Sequence, residues 1–388
     1  MKRTYVVLTA VFLGFFALGL PDGAFGVAWP HIRQEYSVPL ERAGFIFVIH
    51  SIFYAIATSR LGFISRYIKE EKIGSYGLFI MVLGLLGFAF APSFFVHILF
   101  VAIMGSGMGL VDGGFNAFVA KHFSGRIMNL LHCCWGVGAM VSPLIMTYAV
   151  VADGFTWRIG YGVLAFLVVS IATLARINTK KGIKDFPLIK GKTLTPSPTV
   201  YLKGKLNESI AVIMFFFYGG AEYGISFWVV STLTESRGLS TEAAGLYPAV
   251  FYGAIMAGRL LFVFLGDKVK AINAVRFGIV LSIFGLISFF FTTNIAGIAL
   301  VGFGFGPVIP CAVSEVTRRF EPAATSRLVG YQFAALSGGI AILATGLGWF
   351  LGNVSLEILF PAVLGFIILA GVLNEILESA LKRGTPYV

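Results

Sequence analysis

Long apolar runs separated by short polar segments dominate the chain. A helix needs about 20 mostly apolar residues to cross a bilayer, and runs of this kind recur along the whole sequence. We assign twelve of them, at residues 4–28, 43–64, 75–91, 94–118, 128–151, 159–177, 208–232, 242–266, 275–292, 295–317, 327–352 and 357–379. A membrane β-barrel would show alternating segments of about ten residues instead. The pattern therefore predicts an all-α integral membrane protein with twelve transmembrane helices.

Composition agrees with this class. Hydrophobic residues make up 57% of the 388 positions, charged residues make up 12%, and the mean hydropathy is +0.89. A soluble domain has about 25% charged residues. The chain has too few charged side chains to cover a soluble surface.

The net charge of +11 could indicate a nucleic-acid partner, but the distribution of the basic residues argues against it. With the N-terminus placed inside, the inner loops and tails contain 23 Lys and Arg. The outer loops contain only Arg33, Arg42, Arg158 and Arg237. This asymmetry follows the positive-inside rule. It predicts a multi-pass protein of the cell (inner) membrane with both termini cytoplasmic, in contact with membrane lipids and not with nucleic acid.

The first residues, MKRTYVVLTAVFLGFFALG, are similar to a signal peptide. The apolar run continues beyond them as the first predicted span. We interpret the segment as an uncleaved signal-anchor helix.

One polar segment divides six predicted spans from six. From Arg176 to Ser209 it contains eight Lys and Arg, three prolines and no long apolar run. The predicted organisation is an N-terminal six-helix bundle at 1–177, a basic cytoplasmic linker at 178–207 and a C-terminal six-helix bundle at 208–388. The linker's charge suits an orienting, lipid-facing role, with partner binding as the alternative.

The two halves contain similar segments. FYAIATSRLGF begins at Phe53 and FYGAIMAGRLLF begins at Phe251, and GSGMG at 105–109 is matched by GFGFG at 302–306. Repeated halves are typical of transporters, although chance similarity in a glycine-rich membrane sequence is the alternative. The glycines themselves favour close helix packing.

Motifs for enzymatic chemistry are missing from the sequence. It contains no G-x-x-x-x-G-K-[ST] phosphate loop, no G-x-S-x-G nucleophile elbow and no zinc-ligand spacing. Cys133, Cys134 and Cys311 lie in apolar runs without a disulfide pattern. We therefore predict no enzyme activity, no cofactor and no metal.

The inner turn after the eighth predicted span reads GRLLFVFLGDKVK. With the six-plus-six arrangement and the basic central loop, it resembles the major facilitator superfamily, whose inner-loop signature is G-x-x-x-D-[RK]. The resemblance implies two pseudo-symmetric six-helix bundles and a gating role for Arg259, Asp267 and Lys268. The first half departs from the signature, since Ser65 and Arg66 stand where the aspartate is expected.

Three further stretches resemble one branch of that superfamily. GSGMGLVDGGFNAFVA, MNLLHCCWGVGAMVSPL and FFFYGGAEYGISFW are similar to the fucose, galactose and hexose proton symporters and their glucose-transporter-like relatives. The resemblance implies a monomer that imports a monosaccharide together with protons by alternating access. Coupling to sodium would require several converging oxygen ligands, which the sequence does not reveal.

Three acidic residues fall inside predicted spans: Asp22, Asp112 and Glu222. A carboxylate near the bilayer centre costs about 2.5 to 3.5 kcal/mol, so such residues usually face a cavity or a proton path. We predict that these three couple transport to protons. Asp22 follows Pro21 in LGLPDGAFG, which predicts a broken helix beside the acid. A helix end near the outer interface is the alternative there.

Hydrogen-bonding and aromatic side chains near these acids are the predicted substrate ligands, because a sugar has hydroxyl groups and apolar faces. They are Asn116, His132, Tyr218, Glu222, Trp228 and Gln332. Structural hydrogen bonding is the alternative for Asn116, His132 and Gln332. For Trp228 it is packing or an interfacial belt.

Two other functions stay open. The fifth predicted span has Gly138, Ser142 and Pro143, an incomplete form of the Gly-x-x-x-Gly-Pro pattern of antiporters. A proton-driven exporter of the same superfamily is therefore the alternative function. A membrane receptor or scaffold is disfavoured, because it has no need of three buried acids.

Overall fold

The computed structural model describes residues 2–123, 125–180, 201–265 and 268–383. Within these ranges, twelve helical segments are long and apolar enough to cross a membrane. We number them spans 1 to 12: Val6–Glu35, Leu40–Ile64, Glu70–Phe90, Phe94–Val119, Leu130–Val151, Trp157–Ile177, Lys205–Ser236, Thr241–Leu265, Ala271–Thr292, Ile295–Arg319, Arg327–Asn353 and Leu356–Arg383. Span 7 ends in a π-helical turn, Thr232–Ser236, and span 11 contains another, Ile340–Ala344. The predicted all-α membrane fold with twelve helices is confirmed.

Span 1 is longer than the sequence predicted. The expected end at residue 28 is wrong, because the helix continues through Pro30 to Glu35. Glu35 accepts hydrogen bonds from the indole of Trp157 at 2.6 Å and from Arg158 at 2.7 Å. These bonds connect the end of span 1 to the start of span 6. They stabilise the additional helical residues at the end of span 1.

The predicted break beside Asp22 is also wrong. Pro21 lies inside the continuous helix Lys2–Glu35. The neighbouring helix supports this stretch closely, since a Cβ atom on Gly19 would lie 2.1 Å from the carbonyl oxygen of Trp135. A proline removes one backbone hydrogen bond, but the helix continues through it where it packs tightly on span 5. Asp22 is therefore a mid-helix residue and does not mark a helix end.

The chain folds as two compact units. The first comprises Met1–Gly191 with Arg237–Tyr252, and the second comprises Lys192–Ser236 with Gly253–Val388. The start of span 8 therefore belongs to the first unit and its end to the second. Residues 181–200 of the predicted linker lie outside the described residues, and the three-part division predicted from the sequence stays a prediction.

Span 1 packs against span 5 in the first unit through glycines. A Cβ atom on Gly138 would lie 2.0 Å from the carbonyl oxygen of Phe16, too close for any side chain. Spans 2 and 4 approach in the same way, because a Cβ atom on Gly109 would lie 2.6 Å from the carbonyl oxygen of Tyr54. The glycines thus set the helix spacing, as small residues do in membrane proteins.

The second unit repeats this arrangement. A Cβ atom on Gly339 of span 11 would lie 1.9 Å from the carbonyl oxygen of Phe216 in span 7. One on Gly306 of span 10 would lie 2.6 Å from the carbonyl oxygen of Ile255 in span 8. The contact between spans 7 and 11 thus corresponds to the contact between spans 1 and 5. The contact between spans 8 and 10 corresponds to the contact between spans 2 and 4. This correspondence supports the repeat inferred from sequence.

Candidate functional site

Each unit contains a cluster of polar side chains inside its membrane spans. The aspartate cluster of the first unit consists of Asp22, Tyr54, Asp112, Asn116 and Trp135. The glutamate cluster of the second unit consists of Tyr218, Glu222 and Arg259. All three acids predicted from the sequence belong to one cluster or the other.

Asp112 is the centre of the aspartate cluster. Tyr54 donates its hydroxyl hydrogen to Oδ2 of Asp112, and Asn116 donates to Oδ1 at 2.8 Å. Asp112 and Asn116 lie four residues apart on one helix face, as the sequence indicated. Both carboxylate oxygens therefore have a donor, an arrangement that suits the ionised form of Asp112.

The position of Tyr54 depends on a glycine contact. Gly109, three residues before Asp112, lies directly against the backbone of Tyr54. Any larger residue at position 109 would separate spans 2 and 4. The missing side chain is what brings the tyrosine hydroxyl within reach of the aspartate.

Asp22 joins the cluster from span 1. Its Oδ2 accepts a hydrogen bond from the indole Nε1 of Trp135 at 3.0 Å, and it lies close enough to Tyr54 to act on it electrostatically. Trp135 also contacts Tyr252 of the same unit edge to face, with ring centroids 5.7 Å apart. Tyr54 thus has Asp112 as its hydrogen-bond partner and Asp22 as a second nearby acid.

Glu222 is buried in span 7, with 4% of its surface exposed. It hydrogen bonds with the side chain of Tyr218, and Arg259 of span 8 is near enough to act on it electrostatically. The Tyr218 hydroxyl also donates to the carbonyl oxygen of Phe305 at 3.0 Å. Glu222 thus has a charged neighbour in Arg259 and a neutral hydrogen-bonding neighbour in Tyr218.

The hydrogen count of this cluster permits two states of Glu222. A phenol has one hydrogen to donate. When Tyr218 gives it to Phe305, a protonated Glu222 can donate its own hydrogen to the Tyr218 oxygen. When Glu222 is ionised, Tyr218 can turn its hydrogen to the carboxylate and Arg259 supplies the compensating charge. The cluster can therefore hold Glu222 with or without a proton.

Arg259 therefore differs from the other two predicted gate residues. It acts on Glu222 within the spans. Lys268 is exposed, and Asp267 lies outside the described residues. The predicted gate of Arg259, Asp267 and Lys268 stays a prediction.

Asn116 and Gln332 each have an unused acceptor. The Asn116 Oδ1 and Gln332 Oε1 atoms are buried without a hydrogen-bond partner among the described residues. Gln332 donates through Nε2 to the carbonyl oxygen of Ala211 at 3.2 Å and is 1% exposed. Both amides have acceptor capacity for a hydroxyl group, although Gln332 is also fixed in the packing of spans 7 and 11.

Trp228 and His132 have different surroundings. Trp228 is fully buried, and its indole donates to the carbonyl oxygen of Ala344 at 2.8 Å. It serves as a packing residue here, with no face open to a ligand. His132 is partly exposed and contacts Phe15 edge to face at 5.4 Å.

The sequence interpretation missed Tyr54 and gave no role to Trp135. The available signal for Tyr54 was the repeated Phe-Tyr pair, which places Tyr54 and Tyr252 at equivalent positions. In both segments, the tyrosine hydroxyl is a polar group among mainly apolar neighbours. Trp135 gave no comparable signal, because its partner Asp22 is 113 positions away.

Twelve spans built as two repeated sets, with acids paired to polar groups inside them, define a membrane transporter. The sequence profile of the Major Facilitator Superfamily matches residues 11–344 and 212–379. The chain belongs to this superfamily. It is a multi-pass secondary transporter and not an enzyme.

Individual relatives are distant. The Fosmidomycin resistance protein of Escherichia coli (strain K12) is 21% identical over 391 residues, covering 97% of this chain and 94% of that protein. The Hexuronate transporter of Bacillus subtilis (strain 168) is 24% identical over 264 residues, covering 64% and 61%. The chain covers 56% of Bypass of stop codon protein 6 of Saccharomyces cerevisiae (strain ATCC 204508 / S288c), at 22% identity and 67% of its own length.

Solved structures share the fold. A bacterial homolog of the human lysosomal transporter Spinster, inward-facing and unoccupied, matches with a TM-score of 0.77, 14% identity and 98% coverage of both chains. The nucleoside transporter NupG (D323A mutant) matches with a TM-score of 0.74, 12% identity and coverage of 96% of this chain and 99% of that one. At these identities the likeness concerns the fold alone.

Proposed function

We propose that the protein is a proton-coupled symporter of a small polar solute, with a monosaccharide as the favoured substrate. Its two six-helix halves would expose the substrate site to each side of the membrane in turn. We further propose that it lies in the cell (inner) membrane with both termini cytoplasmic, as the distribution of basic residues favours.

The observation that carries this proposal is the environment of Glu222. A coupling carboxyl must be stable both with and without its proton, since it binds the proton on one side and releases it on the other. Tyr218 and Arg259 provide a partner for each form. A purely structural glutamate would need a partner for only one.

The aspartate cluster supports a second proton site. Each carboxylate oxygen of Asp112 accepts one hydrogen bond, from Tyr54 or from Asn116. Tyr54 also lies near Asp22, so its hydroxyl can link the two acids. We propose that Asp22 and Asp112 share coupling with Glu222, and that Tyr54 positions Asp112.

Substrate recognition would use the remaining polar groups. The unused acceptor of Asn116 suits a sugar hydroxyl, and His132 can add a further hydrogen bond. One relative is named as a hexuronate transporter, so sugar acids belong beside neutral hexoses among the substrates tested.

Transport by purified protein in proteoliposomes tests the proposal. Labelled neutral hexoses and hexuronates are offered with and without an imposed inward proton gradient. We expect accumulation of at least one sugar only with the gradient, and its loss in Glu222→Gln. The matched control is Glu242→Gln, since Glu242 is exposed at the start of span 8. Equal accumulation with and without the proton gradient would refute proton coupling.

A proton-driven exporter is the second candidate. One relative that aligns along 97% of this chain is named as a resistance protein, and Gly138 and Pro143 give part of the antiporter pattern. The same vesicles loaded with a lipophilic cation distinguish the two functions. Gradient-driven efflux of the cation, with no uptake of any sugar, would favour the exporter.

A further inference from the structure

A groove runs along the outside of the second unit between spans 9 and 12. It has a volume of about 600 Å³. Eleven residues of these two spans line it. None of them belongs to either polar cluster, so the groove is separate from the candidate transport site.

Most of the groove is apolar. Six isoleucine and valine side chains line it. The rim is open, because Val280 is 66% exposed, Val372 is 50% exposed and Ile368 is 43% exposed. Gly371 lets the two helices approach closely, since a Cβ atom there would lie 3.0 Å from the side chain of Ile279. The apolar part extends over about two helical turns, or about 10 Å.

The polar residues lie together at one end of the groove. Arg276 stands near the start of span 9, and Ser379 and Arg383 lie one and two turns beyond Glu375 near the end of span 12. Arg276 donates to Glu375 through Nε at 2.8 Å and Nη2 at 2.6 Å. The positive-inside rule places this end at the cytoplasmic surface.

The charges at this end suit a phosphate group. A guanidinium has five N–H donors, and the pair with Glu375 leaves others on Arg276 available. Arg383 is exposed and adds a second guanidinium. The charged residues that line this end are one glutamate and two arginines, with a net charge of one positive unit. An apolar groove with a net positive charge at one end is complementary to a lipid that has an acyl chain and one net negative charge.

We propose that this groove binds an anionic glycerophospholipid, with an acyl chain along the isoleucine and valine side chains. The phosphate is held by Arg383 and Arg276, with the Ser379 hydroxyl as a further donor. A zwitterionic lipid would leave the extra positive charge uncompensated.

Native mass spectrometry of the purified full-length protein tests this. Phosphatidylglycerol is titrated into the detergent-solubilised protein, and phosphatidylethanolamine is titrated in parallel. We expect tighter binding of phosphatidylglycerol, weakened about fivefold in Arg383→Gln, since a basic residue near the membrane surface contributes about this much to anionic lipid binding. Lys382→Gln is the matched control, because it removes the same charge from the adjacent residue, which does not line the groove. Equal weakening by both variants would reduce the effect to general surface charge and overturn the proposal.

A second measurement locates the lipid. A phosphatidylglycerol with a photoreactive group in its acyl chain is cross-linked to the wild-type protein, and the labelled peptides are identified. We expect labelling to concentrate at 279–283 and 368–376, and to fall when unlabelled phosphatidylglycerol is added in excess. Labelling spread evenly over other exposed apolar positions, such as Phe95 and Phe166, would overturn the proposal.

Discussion

Tyr54 donates its hydroxyl hydrogen to Asp112 across the contact between spans 2 and 4, while Asn116 donates to the other carboxylate oxygen. The pair joins residues 58 positions apart. It places a tyrosine between Asp112 and the nearby Asp22. We therefore expect removal of the Tyr54 hydroxyl to affect the proposed proton coupling more than folding.

Tyr54→Phe removes only the hydroxyl. A hydrogen bond to a charged group contributes about 1.5 to 3 kcal/mol, so we expect gradient-driven accumulation to fall about tenfold or more. Expression and monodispersity should stay normal, because the ring is kept. Tyr67→Phe is the control, since Tyr67 is 76% exposed. Wild-type accumulation in Tyr54→Phe would show that the tyrosine has no part in coupling.

Asp112→Asn and Glu222→Gln keep the size of the side chain and remove its proton chemistry. We expect both variants to fold, and to lose accumulation against a gradient. Exchange of substrate between equal concentrations should persist in any variant that still binds it. Asp153→Asn, at an exposed position, is the control for Asp112. Normal accumulation by either variant would remove that acid from the mechanism.

The spans could be predicted from the sequence because each one depends on the hydrophobicity of its own residues, which determines whether the segment is stable in a bilayer. The Asp112–Asn116 pair was also predictable, because four residues make one turn of a helix. The end of span 1 was not, since it depends on Glu35 meeting Trp157 and Arg158 from a distant helix.

The site was predicted only in part for the same reason. An acid within an apolar span is visible in the sequence, but its partner is not. Tyr54 beside Asp112 and Arg259 beside Glu222 are both contacts between helices. The inner-loop motif continues to Asp267, and for this reason Arg259 was predicted to belong to an inner gate. Side-chain burial, as for Trp228, also depends on packing that composition does not show.

Gly19→Ala tests the packing that carries span 1 through Pro21. A Cβ atom there would lie 2.1 Å from the carbonyl oxygen of Trp135, so the two helices must separate. Overpacking of this kind costs about 1 to 3 kcal/mol. We expect a lower melting temperature in detergent. Gly365→Ala is the matched control, because nothing lies within 4 Å of its new Cβ atom, and it should not lower the melting temperature.

The last prediction concerns a buried group of charges in the second unit. Arg319 is 3% exposed and lies 3.5 Å from Glu315 and 3.7 Å from Glu378. It also donates to Asn374 at 2.9 Å. Arg319→Met keeps the apolar stem but leaves buried carboxylates with less positive charge, and breaking such a group typically costs about 3 to 5 kcal/mol.

Arg327→Met provides the comparison for this prediction. Arg327 forms an ion pair with Glu208 at 2.7 Å, but its side chain is 52% exposed, and exposed pairs contribute about 0 to 1 kcal/mol. We expect Arg319→Met to lower the melting temperature strongly and Arg327→Met to change it little. The measurement is thermal unfolding of both variants in the same detergent. Equal melting temperatures would mean that burial gives the Arg319 group no special weight, and that this part of the unit is held by apolar packing alone.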